Sequence, residues 1–144
     1  MANSNHSPTS VPAPDLGEFL SALGGFLSRK TPPTDSESAA FLGLFCRTIG
    51  AQEGHLLKAD AVGVLRSVAS FGIPKGFDDQ FNKACDDFPD QVSPLQAAFS
   101  QSKVDAVVDM EKETRLPNWF RDLTARHQFK AFVAVPLIGR NGPV

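Results

Sequence analysis

FKAFVAVPLI, residues 129–138, is the segment of the chain that says most about its architecture. Its apolar residues fall on both alternating faces, which is typical of a strand that is covered on both sides in the middle of a sheet. Asn141-Gly142 then gives a strong signal for a tight hairpin that returns the chain antiparallel beside this strand. The segment therefore predicts a buried strand followed by an antiparallel return, of which only Val144 remains.

Length and charge favour a cytoplasmic protein without a nucleic-acid or membrane partner. The 144 residues suffice for one domain and a tail, and a net charge of -2 gives no general attraction to polyanions. No stretch approaches the roughly 20 apolar residues of a membrane span, and the N-terminus lacks the pattern of a secretory signal. The two cysteines lie far apart, as is typical of reduced thiols in a cytosol.

The N-terminal part of the chain divides into a leader and a helix. Residues 1–14 are rich in Ser, Pro and Asn, so we expect a disordered leader. Asp15 and Glu18 match a capping box before apolar residues at helical spacing. Residues 15–30 are therefore predicted to form an amphipathic N-terminal helix, separate from a domain over residues 35–144.

The order of elements in the second part favours an antiparallel sheet with helices on its faces over a parallel one. The predicted elements are a helix begun by a Thr34/Glu37 capping box, strands over 51–59 and 62–71 around a turn at 60–63, a helical segment over 77–90, a helix begun by Ser93-Pro94, a strand over 106–110, a helix from Trp119 to His127, and the strand over 129–138. The predicted fold class is α+β.

Four stretches resemble a GAF domain, the small-ligand sensor of bacterial histidine kinases, diguanylate cyclases, transcription activators and phosphodiesterases. They are GAQEGHLLKADAVGVLRSVASFGIP, SPLQAAF, VVDMEKETRLPNWFRDL and HQFKAFVAVPLIGRNGP, and the resemblance runs from about Asp35 to Val144. It implies a GAF/PAS-like central antiparallel sheet, with helices on one face and a pocket walled by loops and helices on the other.

The resemblance also implies that the last strand and a C-terminal helix are missing. In the family, a further strand lies in the middle of the sheet and a helix follows it, and neither is present before Val144. We expect either a fragment of a longer protein or a domain completed by another chain. Backbone along Phe132 to Leu137 would then be unpaired and prone to association.

The family's geometry implies a ligand pocket lined by inward residues of the sheet and by the segments 77–99 and 110–127. The apolar candidates are Phe71, Phe81, Leu95, Phe99, Val108, Trp119, Leu123, Phe132 and Ala134, and the polar candidates are Asp109, Arg115, Arg126 and His127. Most of the apolar residues would be core in any fold. Trp119, the single tryptophan, either stacks on a planar ligand or caps the core.

The cysteines and histidines argue against a cofactor and against catalysis. Bilin-binding GAF domains attach their chromophore through a cysteine commonly followed by His, whereas Arg follows Cys46 and Asp follows Cys85. There is no haem signature, and the three scattered histidines have no neighbouring ligands at metal-binding spacing. GAF-type reductases of free methionine sulfoxide use several pocket cysteines, and only Cys85 lies in such a loop.

These observations predict a cytoplasmic, non-enzymatic GAF sensor in bacterial signal transduction, such as a two-component system, with an unidentified small molecule as ligand and an output domain or partner chain. The amphipathic helix from Asp15 to Leu27 is the predicted contact of a homodimer, as a parallel helix pair. The alternative is a dimerisation scaffold whose pocket is filled by Phe and Trp side chains. A weaker alternative is a redox enzyme that uses Cys85.

Overall fold

The computed structural model describes residues 15–139 and 142–143, so the predicted leader over residues 1–14 lies outside the described residues. Its elements are α1 (Leu16–Leu27), α2 (Asp35–Ile49), β1 (Gly54–Ala59), β2 (Leu65–Phe71), α3 (Phe77–Asp87), α4 (Pro94–Gln101), β3 (Asp105–Val107), α5 (Asn118–Arg126), β4 (Phe132–Ala134), β5 (Ile138–Gly139) and β6 (Gly142–Pro143). The prediction of an α+β fold with antiparallel strands is confirmed.

Strand pairing differs from the single sheet that was predicted. The described strands form three separate antiparallel pairs, β1 with β2, β3 with β4, and β5 with β6. One edge of β1 and one edge of β4 therefore pair with no described strand. No helix in this part of the chain combines the length and apolar composition needed to cross a bilayer.

The segment 129–138 is divided rather than continuous. β4 ends at Ala134, Pro136 has no amide N–H to donate to a ladder, and pairing resumes only at Ile138. Val133 is 63% exposed and Val135 49%, so the prediction of a strand covered on both faces was wrong. The antiparallel return was correct, because β5 pairs with β6; the connecting residues 140 and 141 lie outside the described residues.

Helix starts follow the local signals in the sequence. Thr34 and Glu37 form the predicted reciprocal capping box of α2. Ser93 caps α4 by accepting a hydrogen bond from the Gln96 amide, with Pro94 in the first turn. Asp15 caps α1 by accepting from the Gly17 amide. Each cap satisfies an amide that has no partner within its own helix.

Two apolar clusters cover opposite faces of the β1–β2 hairpin. On one face, Leu42 and Cys46 of α2 pack against Ala69 of β2. On the other face, α3 and α5 bring together a larger cluster built around Phe81 and Phe120. α1 joins the α2 side through stacked aromatic rings, such as those of Phe26 and Phe41, whose centroids are 4.2 Å apart.

A β-bulge in the hairpin determines which side chains contact α3. Leu56 lies opposite Ala69, but the next residue, Leu57, lies opposite Ser67, so β2 contains one extra residue at this point. Such a bulge reverses the alternation of faces along a strand. Ser67 and Ser70, three positions apart, can therefore both reach α3.

Candidate functional site

A cavity of about 380 Å³ is lined by residues of β1 and β4 and of the helices around them. Its walls include side chains from both faces of the hairpin, from α2 on one side and from α3, α4 and α5 on the other. Eight phenylalanines contribute to the lining, among them Phe77, Phe81, Phe120 and Phe132. The volume falls within the range of small-molecule sites, about 300–1,000 Å³.

Few polar groups line this cavity. Among its described lining residues, Glu53 is the only one with a formal charge at neutral pH, and none is a lysine or arginine. Thr124 also lines it, but its hydroxyl donates to the Phe120 carbonyl oxygen at 2.8 Å. His55 of β1 is the remaining polar side chain in the lining, apart from the Cys46 thiol. The arrangement favours an apolar ligand with few polar atoms.

His55 is held by polar side chains from β2 and α3. Its Nε2 lies 2.6 Å from Ser67 Oγ and 3.0 Å from Asp78 Oδ1. Ser67 donates its hydroxyl to Asp78 Oδ1 at 2.6 Å, and Ser70 donates to the other carboxylate oxygen at 2.8 Å. The rings of Phe77 and Phe81 meet the imidazole edge-on, with centroids 5.2 Å away in each case.

The proton positions in this cluster follow from its donors and acceptors. A carboxylate only accepts, and Ser67 has already donated its single proton to Asp78. The hydrogen between His55 and these two oxygens must therefore lie on Nε2. Asp78 thus holds the imidazole in one tautomer, with Nδ1 as the unprotonated nitrogen.

Burial keeps His55 neutral. Loss of solvent lowers the pKa of His55 from 6.5 to about 4, although Asp78 opposes the shift. The pKa of Asp78 is itself lowered: burial acts to raise it, and the hydrogen bonds from Ser67, Ser70 and His55 outweigh that effect. At neutral pH the contact between His55 and Asp78 is therefore a hydrogen bond from a neutral imidazole rather than an ion pair.

The predicted pocket residues divide into two groups. Those that line the cavity are Phe81, Leu95, Phe99, Phe132 and Ala134. Those outside its lining are Phe71, Val108, Asp109, Arg115, Trp119, Leu123, Arg126 and His127. Phe71 packs on the α2 side, whereas Trp119 and Leu123 belong to the core cluster around Phe81. Val108 is 89% exposed.

The polar candidates are engaged elsewhere or lie at the surface. Arg115 forms ion pairs with Asp105 and Glu113, at 2.9 and 2.7 Å. These pairs raise the pKa of Arg115 and lower that of Glu113 to about 2. Asp109 pairs with Lys112 at 3.0 Å, and Arg126 is exposed.

His127 and Trp119 do not line the cavity, but each contacts phenylalanines that do. His127 ends α5 and its ring meets Phe77 edge-on, at 5.1 Å between centroids. Trp119 is 7% exposed and lies edge-on to Phe81 and Phe120, at 6.0 and 5.4 Å. The indole therefore touches two side chains that line the cavity without lining it itself.

Neither cysteine has the environment of a reactive thiol. Cys46 is buried in the α2 cluster, as predicted, and burial raises its pKa. The pKa of Cys85 is also raised, chiefly by burial, with smaller effects from Asp86 and Asp60 and an opposing one from Arg66. A raised pKa leaves little thiolate for nucleophilic attack at neutral pH.

His55, Ser67 and Asp78 were not among the predicted site residues. His55 shares a face of β1 with Leu57, and Asp78 lies in the first turn of α3 beside a second acidic residue, Asp79. An acidic residue at a helix start is ordinarily explained by the helix dipole. The bulge that brings both serines toward Asp78 leaves no clear signal in the sequence.

No protein-family model and no curated protein sequence matches this chain. Within residues 15–139, no group of three or more His, Cys, Asp or Glu side chains is arranged to hold a metal ion.

Proposed function

We propose that this chain is a GAF-type sensory module that binds a small molecule in the cavity lined by β1, β4 and the helices around them. In this proposal it works in the cytoplasm in bacterial signal transduction, without catalysing a reaction, and passes its occupancy to an output domain or a partner chain. Its ligand acts by favouring one arrangement of the surrounding helices, because a ligand shifts an equilibrium only through its differential affinity for two states.

The observation that carries the proposal is an apolar cavity of about 380 Å³ with one oriented histidine in its wall. A recess of this size, lined mainly by apolar side chains with few polar groups, is typical of a small-molecule site. Five of the residues expected from the GAF resemblance line it, including Phe81, Phe99 and Phe132.

The GAF arrangement also accounts for the position of the cavity. In that family the pocket lies on the face of the sheet that is walled by loops and helices, and residues of α3, α4 and α5 line this cavity together with β1 and β4. The ligand site of the proposal is the part of the cavity next to α3, α4 and α5, which contains His55 and Phe81.

Trp119 provides the readout for a binding test. As the only tryptophan, it reports on the rings of Phe81 and Phe120 without competing signals. We expect a panel of amino acids, nucleobases, cyclic nucleotides and uncharged aromatic metabolites to contain compounds that change its fluorescence saturably and raise the melting temperature.

A cavity-filling variant makes the test specific. Ala134→Phe places a ring in the lining, whereas Val104→Phe adds the same ring at a position that is 63% exposed and outside the lining. The first should abolish binding and the second should leave it unchanged. A panel without any saturable response, or equal binding by both variants, would contradict the proposal.

A dimerisation scaffold is the second candidate, and an exposed apolar face on α1 favours it. Leu16 and Leu20 are 61% and 55% exposed, on a helix that packs against α2 through Phe19. Leu20→Glu should convert a dimer to a monomer in sedimentation, with Ser21→Glu as the matched control. A monomeric parent chain would count against this second candidate.

A further inference from the structure

His55 belongs to the cavity lining, and its imidazole has one polar atom without a hydrogen-bond partner among the described residues. Nε2 is occupied by Ser67 and Asp78, whereas Nδ1 forms no hydrogen bond with any described residue. In the described ranges, two fully buried side-chain atoms lack a hydrogen-bond partner, Trp119 Nε1 and Arg121 Nε. Nδ1 of His55 is not one of them, so it is accessible to solvent.

We propose that Nδ1 of His55 accepts a hydrogen bond from the ligand, and that this ligand is an uncharged aromatic molecule with an N–H or O–H donor. This inference rests on the proposed small-molecule function and names the chemical class of the ligand.

Orientation of the imidazole is the first support. Asp78 receives three hydrogen bonds, from His55, Ser67 and Ser70, and the rings of Phe77 and Phe81 fix the imidazole from the apolar side. A side chain held in this way is preorganised, so a ligand need not order it on binding. In this neutral tautomer Nδ1 is a hydrogen-bond acceptor, so His55 favours a ligand that carries a donor group.

The charge of the lining is the second support. An anion would find no lysine or arginine among the described lining residues, and the carboxylate of Glu53 would repel it. An ammonium group would lose its hydration with Glu53 as its only lining carboxylate, and burial of a charge without close pairing is costly. An uncharged ligand avoids both costs.

The ring content of the lining is the third support. Phe77, Phe81, Phe120, Phe129 and Phe132 all line the cavity with aromatic rings. Aromatic pairs gain about 0.5–1.5 kcal/mol beyond their buried area when they stack with an offset or meet edge to face. A flat aromatic ligand can use this geometry, whereas a flexible polar one cannot.

Indole and benzothiophene, which share size and shape, form the test pair because only indole has an N–H donor. By calorimetry on the full chain, indole should bind about tenfold more tightly, as expected for one hydrogen bond to an otherwise unpaired acceptor. His55→Gln keeps a donor toward Asp78 but removes Nδ1, so it should lower the affinity for indole to the affinity for benzothiophene. His55→Asn restores an oxygen near the Nδ1 position and should recover part of the difference.

A spectroscopic measurement on the unmodified chain does not depend on the folding of a variant. With ¹⁵N-labelled histidine, indole should shift the Nδ1 resonance of His55 and leave both nitrogens of His127 unchanged. An unshifted Nδ1 at saturating indole would overturn the assignment.

The outcomes separate this inference from the function on which it rests. Equal affinities for indole and benzothiophene would overturn the role of Nδ1 while leaving binding in the cavity intact. Tighter binding of tryptamine or indole-3-acetate than of indole would overturn the uncharged class. Absence of binding by every compound in the wider panel would remove the proposed function itself.

Discussion

Acid should destabilise this protein through the buried imidazole of His55. Burial lowers the pKa of His55 to about 4, whereas the unfolded chain keeps the ordinary value of 6.5. As the pH falls below 6.5, the unfolded state takes up a proton that the folded state still excludes. The free energy of unfolding therefore decreases between pH 6.5 and about 4 and is fully retained above pH 6.5.

The magnitude follows from the size of the shift. One pKa unit corresponds to about 1.4 kcal/mol, so the change from 6.5 to about 4 corresponds to about 3 kcal/mol in full. Roughly 2 to 3 kcal/mol of this would be lost between pH 7.5 and pH 4.5. Such a loss is a large fraction of the roughly 5–15 kcal/mol that stabilise a typical domain.

Urea denaturation at pH 7.5 and pH 4.5, followed by far-ultraviolet circular dichroism, measures this loss. The unmodified chain should lose roughly 2 to 3 kcal/mol more than His55→Gln, which has no titrating imidazole at this position. Glu37 and Glu113, with pKa values of about 2, titrate below this range in both proteins. If the stability of His55→Gln and of the unmodified chain depended on pH in the same way, burial of a neutral His55 would not be the cause of the loss in acid.

Three further substitutions test the packing around the cavity by chemical denaturation. Asp78→Ala leaves three donors without their acceptor and should cost about 2 kcal/mol, whereas Asp79→Ala, at an exposed position, should cost less than about 0.5. Phe81→Ala, at 1% exposure, should cost about 3–5 kcal/mol, and Phe88→Ala, at 41%, much less. Gly72→Ala should cost at least about 1 kcal/mol, because φ is +69° and a Cβ would overlap a neighbouring carbonyl oxygen. Equal losses within either matched pair, or an undisturbed Gly72→Ala, would contradict the assigned contacts.

Helix starts and the first hairpin were predictable because their signals are local. The Thr34/Glu37 capping box and the Ser93-Pro94 start act within one helical turn, and each was found where the sequence predicted it. The turn between β1 and β2 likewise depends on Asp60, which accepts hydrogen bonds from the amides of Val62 and Val64.

Burial of the segment 129–138 was not predictable from its composition. An apolar run shows that both faces of a strand could be covered, but the coverage depends on which elements pack there. In the structure β4 is three residues long, pairs only with β3 among the described strands, and leaves Val133 exposed.

The candidate site was only partly predictable for a related reason. Apolar residues such as Phe81 and Phe132 were identified, whereas Arg115 was taken as a ligand-orienting group and is instead paired with Asp105 and Glu113. The hydrogen-bonded pairs in the network of His55 lie 8 or more positions apart, and the network requires the bulge in β2. Spacing along the chain carries little information about such contacts.

The most direct test of the proposed ligand site is to locate the position at which a small aromatic molecule binds. Isotope-filtered NOE spectra of the labelled chain with saturating indole would identify the side chains within contact distance of the ligand. Binding in the cavity should give NOEs to Leu57, Phe81 and Phe132, all of which line it. NOEs confined to the exposed leucines of α1, Leu16 and Leu20, would contradict it.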